Sequence, residues 1–409
     1  MKSPRAVLCA DWGKGFRKRA VYAADVSTRV VRRVSGNGWT AAEVISEAER
    51  LSSGGCVLAT FDTPLGVPES FLAAVRHSSA RPLVNFLELL NTARSMPRFF
   101  DASSVATDWR PERPFFSVPA GKNGLRAYQD VAAEHGVDIY RRIDRLTGAK
   151  PVFIKSGIPG SVGSAASSLW KEIAPRLVGP RGFRVWPFEG TLEDLLKSAA
   201  VVVAEIYPRA AYATALVDAP MVSRAQLAIA KTDPEIRSEA LVSLRDAPWV
   251  REQGVALQNL EEAEASEDDF DACISATALL RCILEELPLC PFQLDFPMSE
   301  GGILGTGSVN LLLPQQTFRL RGQRRPASRL VVEAVSEQTC QPLVTGAQRS
   351  GGDTYRCPIA GCMKVFQGSR GGWDAHVGSV RLHPHWHPGL HQPEERKRRF
   401  EVEFPDCFK

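Results

Sequence analysis

The sequence predicts an α/β fold with a central mixed sheet flanked by helices, and three observations predict it. Three short β-prone runs crowd the first 34 residues, with turn residues between them, as in an antiparallel meander. Two continuous apolar runs, "GGCVLATFDTPLG" (54–66) and "AAVVVAEIYP" (199–208), have the character of strands buried on both faces. Stretches with helical spacing separate and follow these runs, which is the layering of helices on a sheet.

The elements follow in order. "RAVLCADWG" is apolar and breaks at Gly13 and Gly15; "RAVYAADV" and "TRVVRRV" are the next two strands. "TAAEVISEAERL" (40–51) reads as a helix with Thr40 as its cap. Further helices are expected over 68–79, 124–145, 164–177, 222–245 and 268–286. From 314 to 354 the chain turns rich in Pro, Gln, Arg, Gly and Ser, and reads as a basic linker. The expected organisation is a core domain over 1–313 with helical insertions at about 68–180, the linker, a small metal-binding module over 355–391, and a basic tail over 392–409.

The 409 residues are 44% hydrophobic and 23% charged, as in an ordinary globular protein, with no apolar stretch of membrane-spanning length. The N-terminus enters a strand-like run at once, without a signal-peptide core, so a cytoplasmic location with reduced thiols is expected. The net charge of +4 is uneven: from Phe318 onward 15 Lys and Arg face 9 Asp and Glu, a balance of +6 that leaves −2 for the rest. The basic runs "RLRGQRRPASR" (319–329) and "ERKRRF" (395–400) suit a surface that meets phosphates, and equally a solvated linker and end.

Three predicted strands finish on acids: Asp11, Asp62 and Glu205. Acids there face the crevice where open α/β sheets bind ligands, and a carboxylate at the end of an apolar strand needs a partner. Local alternatives exist for each: Asp11 as a turn residue, Asp62 as the cap of the helix near Pro68, Glu205 as the partner of Arg209 or a tail arginine. "EASEDDFDACISATALL" (264–280) then sets acids ahead of an apolar helix. Ser266 and the first acids suit capping and the helix dipole. Asp268 and Asp271, three residues apart, share one helix face and can point at one magnesium ion.

The ordered blocks "DWG", "FDTPLGVP", "SVGSAASSLWKEIAPRL…FRVWPFEG", "AEIYPR", "DDFDA" and "EGGILG", across roughly residues 5–305, resemble those of the domain of unknown function 429 family, a group assigned to the ribonuclease H-like fold and predicted to be nucleases. The last helix is also similar to that of RuvC-type Holliday junction resolvases. The resemblance implies a ribonuclease H-like core and a site made of Asp11, Asp62 or Glu205, and the final aspartates. In such a site two magnesium (or manganese) ions clamp the scissile phosphate. Asp11 would bridge them, Asp62 or Glu205 would complete one shell, and Asp268 with Asp271 would hold the other. Lys14, Arg17 and Lys231 are candidate phosphate contacts, with a solvated hairpin the competing reading for the first two.

In the tail, "YRCPIAGCMKVFQGSRGGWDAHVGSVRLH" has the form of a ββα zinc finger. Cys357 and Cys362 would sit on a hairpin and His376 and His383 on a helix, with His385 or His387 as alternatives for the fourth position. A lone finger reads too few base pairs for tight specific binding, so it suits an anchor on DNA or RNA phosphates, or a contact with a protein partner. The expected function is a metal-dependent nuclease. The competing reading is a non-catalytic nucleic-acid or protein adaptor of the same fold. A phosphotransferase would need a glycine hairpin repeated in both halves, and no such repeat is found.

Overall fold

The structure is a computed structural model, and it describes residues 3–36, 38–79, 83–119, 124–290, 300–320, 354–356, 365–367, 387 and 392–403. Met1–Arg325 and Pro326–Lys409 form two compact units.

In the first unit, β1 (Ala6–Asp11), β2 (Ala20–Asp25) and β3 (Val30–Arg33) form the expected antiparallel meander. On the other side of β1 lie β4 (Val57–Phe61) and then β6 (Val201–Ile206), both parallel to it. Short strands finish the edges: β7 (Ala256–Leu257) on β3, and β5 (Phe183–Val185) and β8 (Ile303–Leu304) on β6. The result is an eight-stranded mixed sheet in the order β7-β3-β2-β1-β4-β6-β8, with β5 also on β6.

β1, β4 and β6 are buried at every residue, because both faces of the sheet are covered. Alternation along each strand divides the core. Ala6, Leu8, Ala10, Val57, Ala59 and Phe61 face one cluster, shared with α1 (Ala41–Leu51) and with α2 (Gly163–Ile173) of the insertion. Val7, Cys9, Leu58, Val202 and Ala204 face the other, shared with α3 (Pro208–Leu216) and α4 (Glu267–Leu284). Thr40 caps α1 in a reciprocal box with Glu43, as expected.

Several boundaries differ from expectation. The helix expected over 124–145 ends at Glu134; Gly136 takes φ +70°, and a separate helix runs Arg142–Thr147. The helix expected from 222 begins only at Pro234, capped by Asp233, and Leu227–Ala228 before it is a strand. That strand pairs with Gln316–Thr317, and Phe318 packs on the core, so the first unit runs past 313 into the expected linker. α3 was absent from the sequence reading, although Pro208 at its first position and the alanines that follow are helix-starting and helix-forming signals.

In the second unit Thr354–Arg356 pairs antiparallel with Val365–Gln367, a hairpin whose intervening segment holds Cys357 and Cys362. Those two cysteines, His376, His383 and His385 lie outside the described residues. His387 is described, and its Nε2 is 2.6 Å from Glu403 Oε1 of the helix Pro393–Glu403.

The loop after β4 meets the strap before β8 at two glycines. A Cβ on Gly66 (φ +147°) would lie 2.1 Å from Glu300 O, and one on Gly301 (φ +80°) would lie 2.1 Å from Leu65 O. Backbone touches backbone there, so no side chain can give way. Gly66→Ala is expected to lower stability by about 1–3 kcal/mol or more, from strain and displacement of the strap, read as a lower urea midpoint at unchanged slope.

Candidate metal centre

Register decides which strand-end acids meet. Ala10 is level with Phe61, and Asp62 N donates to Ala10 O at 2.9 Å, so Asp11 and Asp62 are neighbours on the same face of the sheet. That face is the one covered by α4. Ser266 caps α4 through its hydroxyl, accepting from Asp269 N, as its place in the sequence suggested. Asp268 and Asp271 then fall on one side of the first turns.

Carboxylate oxygens of Asp11, Asp62 and Asp271 all lie within 4.8 Å of one another. Asp11 is pushed well above the usual carboxylate range by burial and then by the charges of Asp271 and Asp62, with Asp268 adding to the effect, so it keeps its proton in the absence of a cation. Asp62 is pushed up to about 7, by burial first and by Asp271 next. Burial also raises Asp268 and Asp271.

Asp271 is the most enclosed of the set, and two side chains hold it. Tyr212 of α3 donates to Oδ1, and the Lys231 ammonium pairs with Oδ2. Burial alone would lower Lys231, but Asp271 and Asp11 overcome it and keep the ammonium charged. Lys231, expected to contact phosphate, is therefore first of all a counter-charge within the acidic cluster. Tyr212 escaped the sequence reading together with its helix. Lys14 and Arg17 are exposed on the turn between β1 and β2, three and six residues after Asp11. The remaining aspartate of the run, Asp269, turns away to pair with Arg33 Nε at 2.6 Å.

Glu205 does not join the site. It is level with Phe61 rather than with Asp62, so it shares the face opposite to Asp11 and Asp62. There Arg141 of the insertion reaches both of its oxygens at 2.7 Å and Asp144 Oδ1 at 2.8 Å, while Leu65 N donates to Glu205 Oε2 at 2.8 Å. The expected catalytic role of Glu205 is corrected to that of a buried structural anion, and its partner is Arg141, not Arg209 or a tail arginine.

The donor set that does assemble is all oxygen and all carboxylate, which fits a hard divalent cation such as magnesium or manganese and not a soft one. Comparison of the chain with protein-family models, with curated proteins and with solved structures finds no match. The functional reading therefore rests on the chemistry of this cluster.

Two outcomes are expected. Between about pH 4, where a free aspartate titrates, and about pH 7, where Asp62 does in the folded chain, the native state holds a proton that the unfolded state has lost. Without divalent ions the melting temperature should fall as the pH rises through that window. If the cluster takes magnesium or manganese, the ion must displace the retained protons, and it should then raise the melting temperature more at pH 8 than at pH 5.5. Separately, Arg141→Met leaves Glu205 and Asp144 buried and unpaired and is expected to cost about 3–5 kcal/mol in chemical denaturation, part of which Glu205→Gln should restore.

Proposed function

We propose that this chain is a divalent-metal-dependent nuclease with a ribonuclease H-like core and a C-terminal zinc finger that helps hold nucleic acid. The observation that carries the reading is the convergence of Asp11, Asp62 and Asp271, from three distant segments, with oxygens within 4.8 Å. The mixed sheet supports it, with the antiparallel meander first and Asp11 at the end of β1, which lies between β2 and β4. No helix among the described residues is long and apolar enough to cross a membrane.

In this reading Asp11, Asp62 and Asp271 hold the cation or cations, with Asp268 at the rim. Bound there, the metal activates water and stabilises the leaving oxygen of an in-line phosphoryl displacement. Asp11 gives up its proton when the site is loaded. Tyr212 and Lys231 fix the carboxylate of Asp271 so that it need not reorganise, and the Lys231 ammonium adds positive charge where the transition state gains negative charge. In the tail, Cys357 and Cys362 with His376 and His383 would bind zinc, which supplies the small module with the fixed point that so short a segment needs to fold.

The test is cleavage of labelled single-stranded, double-stranded and hybrid oligonucleotides with magnesium or manganese. Asp11→Asn is expected to slow it at least about 100-fold, equal to about 2.7 kcal/mol of transition-state stabilisation. The zinc assignment predicts one zinc per chain by elemental analysis, lost in Cys357→Ser. A specific observation also favours the adaptor reading: Lys231 and Tyr212 already satisfy Asp271 without metal. Tight retention of oligonucleotide with no cleavage under any divalent ion would establish the adaptor and end the nuclease proposal.

A further inference from the structure

The turn that follows Asp11 is clamped to the insertion. Arg19, at the end of that turn, is buried with its guanidinium 3.7 Å over the Trp12 ring, and it donates to Gly13 O at 3.1 Å and to Ser168 Oγ of α2 at 2.6 Å. Its pairing with Glu172 of the same helix, at 2.9 Å, completes the clamp. The exposed residues between, Lys14 to Lys18, are thus held against the end of α2 that carries Lys171, next to Glu172.

Lys155, on the short strand Ile154–Ser156, belongs to the same neighbourhood. Its Nζ donates to Phe100 O at 2.6 Å and lies 4.9 Å over the Phe115 ring, while Lys171 Nζ lies 5.2 Å over the Phe100 ring. Phe100 and Phe115 are themselves stacked, with centroids 6.1 Å apart. Two ammonium groups therefore share one aromatic platform, and Lys14 is close enough to add its field. The Lys155 amine is lowered to about 8 by burial first and by Lys171 and Lys14 next, with Asp101 offsetting part of the effect. Among the described residues none of the three has an ion-pair partner. Aromatic faces soften the repulsion between like charges without neutralising them. An arrangement that gathers three cations from three elements and supplies no carboxylate at pairing distance is complete only with an anion from outside.

We propose that Lys14, Lys155 and Lys171 form a seat for a backbone phosphate of the nucleic-acid strand that enters the acidic site. The inference rests on the nuclease reading for the identity of the strand, and on the clamp by Arg19 for the link to that site: Lys14 is three residues from Asp11, and Lys18 of the same turn lies near Asp268. The acids hold the cation that meets the reacting phosphate, and the lysines hold a neighbouring phosphate of the same strand. The seat is specific for charge and spacing, not for base identity.

The test is the salt dependence of binding by the full-length chain to fluorescein-labelled 20-nucleotide oligothymidylate and oligouridylate, without divalent ions so that nothing is cut. Each phosphate contact on a single strand contributes about 0.7 to the slope of log affinity against log salt. Because the three lysines hold one phosphate, Lys14→Ala/Lys171→Ala, both exposed, should make the slope shallower by up to about 0.7, and adding Lys155→Ala should complete that loss of about 0.7. Lys197→Ala, a lysine already paired with Glu193 at 2.8 Å, should leave it unchanged. The double variant keeps the test valid if loss of the half-buried Lys155 impairs folding. Slopes of the double and triple variants equal to that of the native chain, or no binding of either oligonucleotide by the native chain at low salt, would overturn the seat. The nuclease reading is judged separately: a chain that cleaves with magnesium but shows no change of slope keeps the nuclease and loses the seat, and a chain whose slope responds but which never cleaves does the reverse.

Discussion

Pleat parity across β1, β4 and β6 is the constraint on which the rest depends. Adjacent parallel strands bring level residues to the same face, so a difference of one position separates two acids by the thickness of the sheet. Asp62, one step beyond Phe61, falls in with Asp11; Glu205, level with Phe61, falls out. The same parity sends alternate apolar residues of these strands into two separate cores, and the position of each acid follows from the cluster to which its strand neighbours belong.

The two faces deal with buried negative charge in opposite ways. On one, Glu205 and Asp144 are neutralised by a fixed guanidinium with short bonds to both. On the other, Asp11, Asp62, Asp268 and Asp271 have one lysine and one tyrosine among them and make up the difference with retained protons. The first solution is stable and inert. The second leaves clustered acids whose proton affinity burial and mutual charge raise, and this contrast is the ground of the metal-site proposal.

The sequence revealed the strands whose burial is complete, because unbroken apolar runs such as "VLATF" and "VVVAE" have few other uses, and it revealed the caps at Thr40 and Ser266, which are set by residues three positions away. It also brought together Asp11, Asp62, Asp268 and Asp271. It failed where the answer is non-local. Nothing in "VVVAEIYPR" records that its glutamate stands level with Phe61, or that an arginine 64 positions earlier will meet it. The break at Gly136 and the late helix start at Pro234 were visible as residues but lost to the periodicity around them. Lys231 was noticed as a cation; that its charge is turned inward depends on a fold in which the segment before Pro234 crosses the first turns of α4.

Arg141 also binds its own segment to the sheet. The helix Arg142–Thr147 that follows it lies outside the strands, yet Arg141 supplies the counter-ion for a residue of a central strand. Local opening of that segment would strip a buried carboxylate of its cation, so the segment and β6 should come apart together and not one before the other.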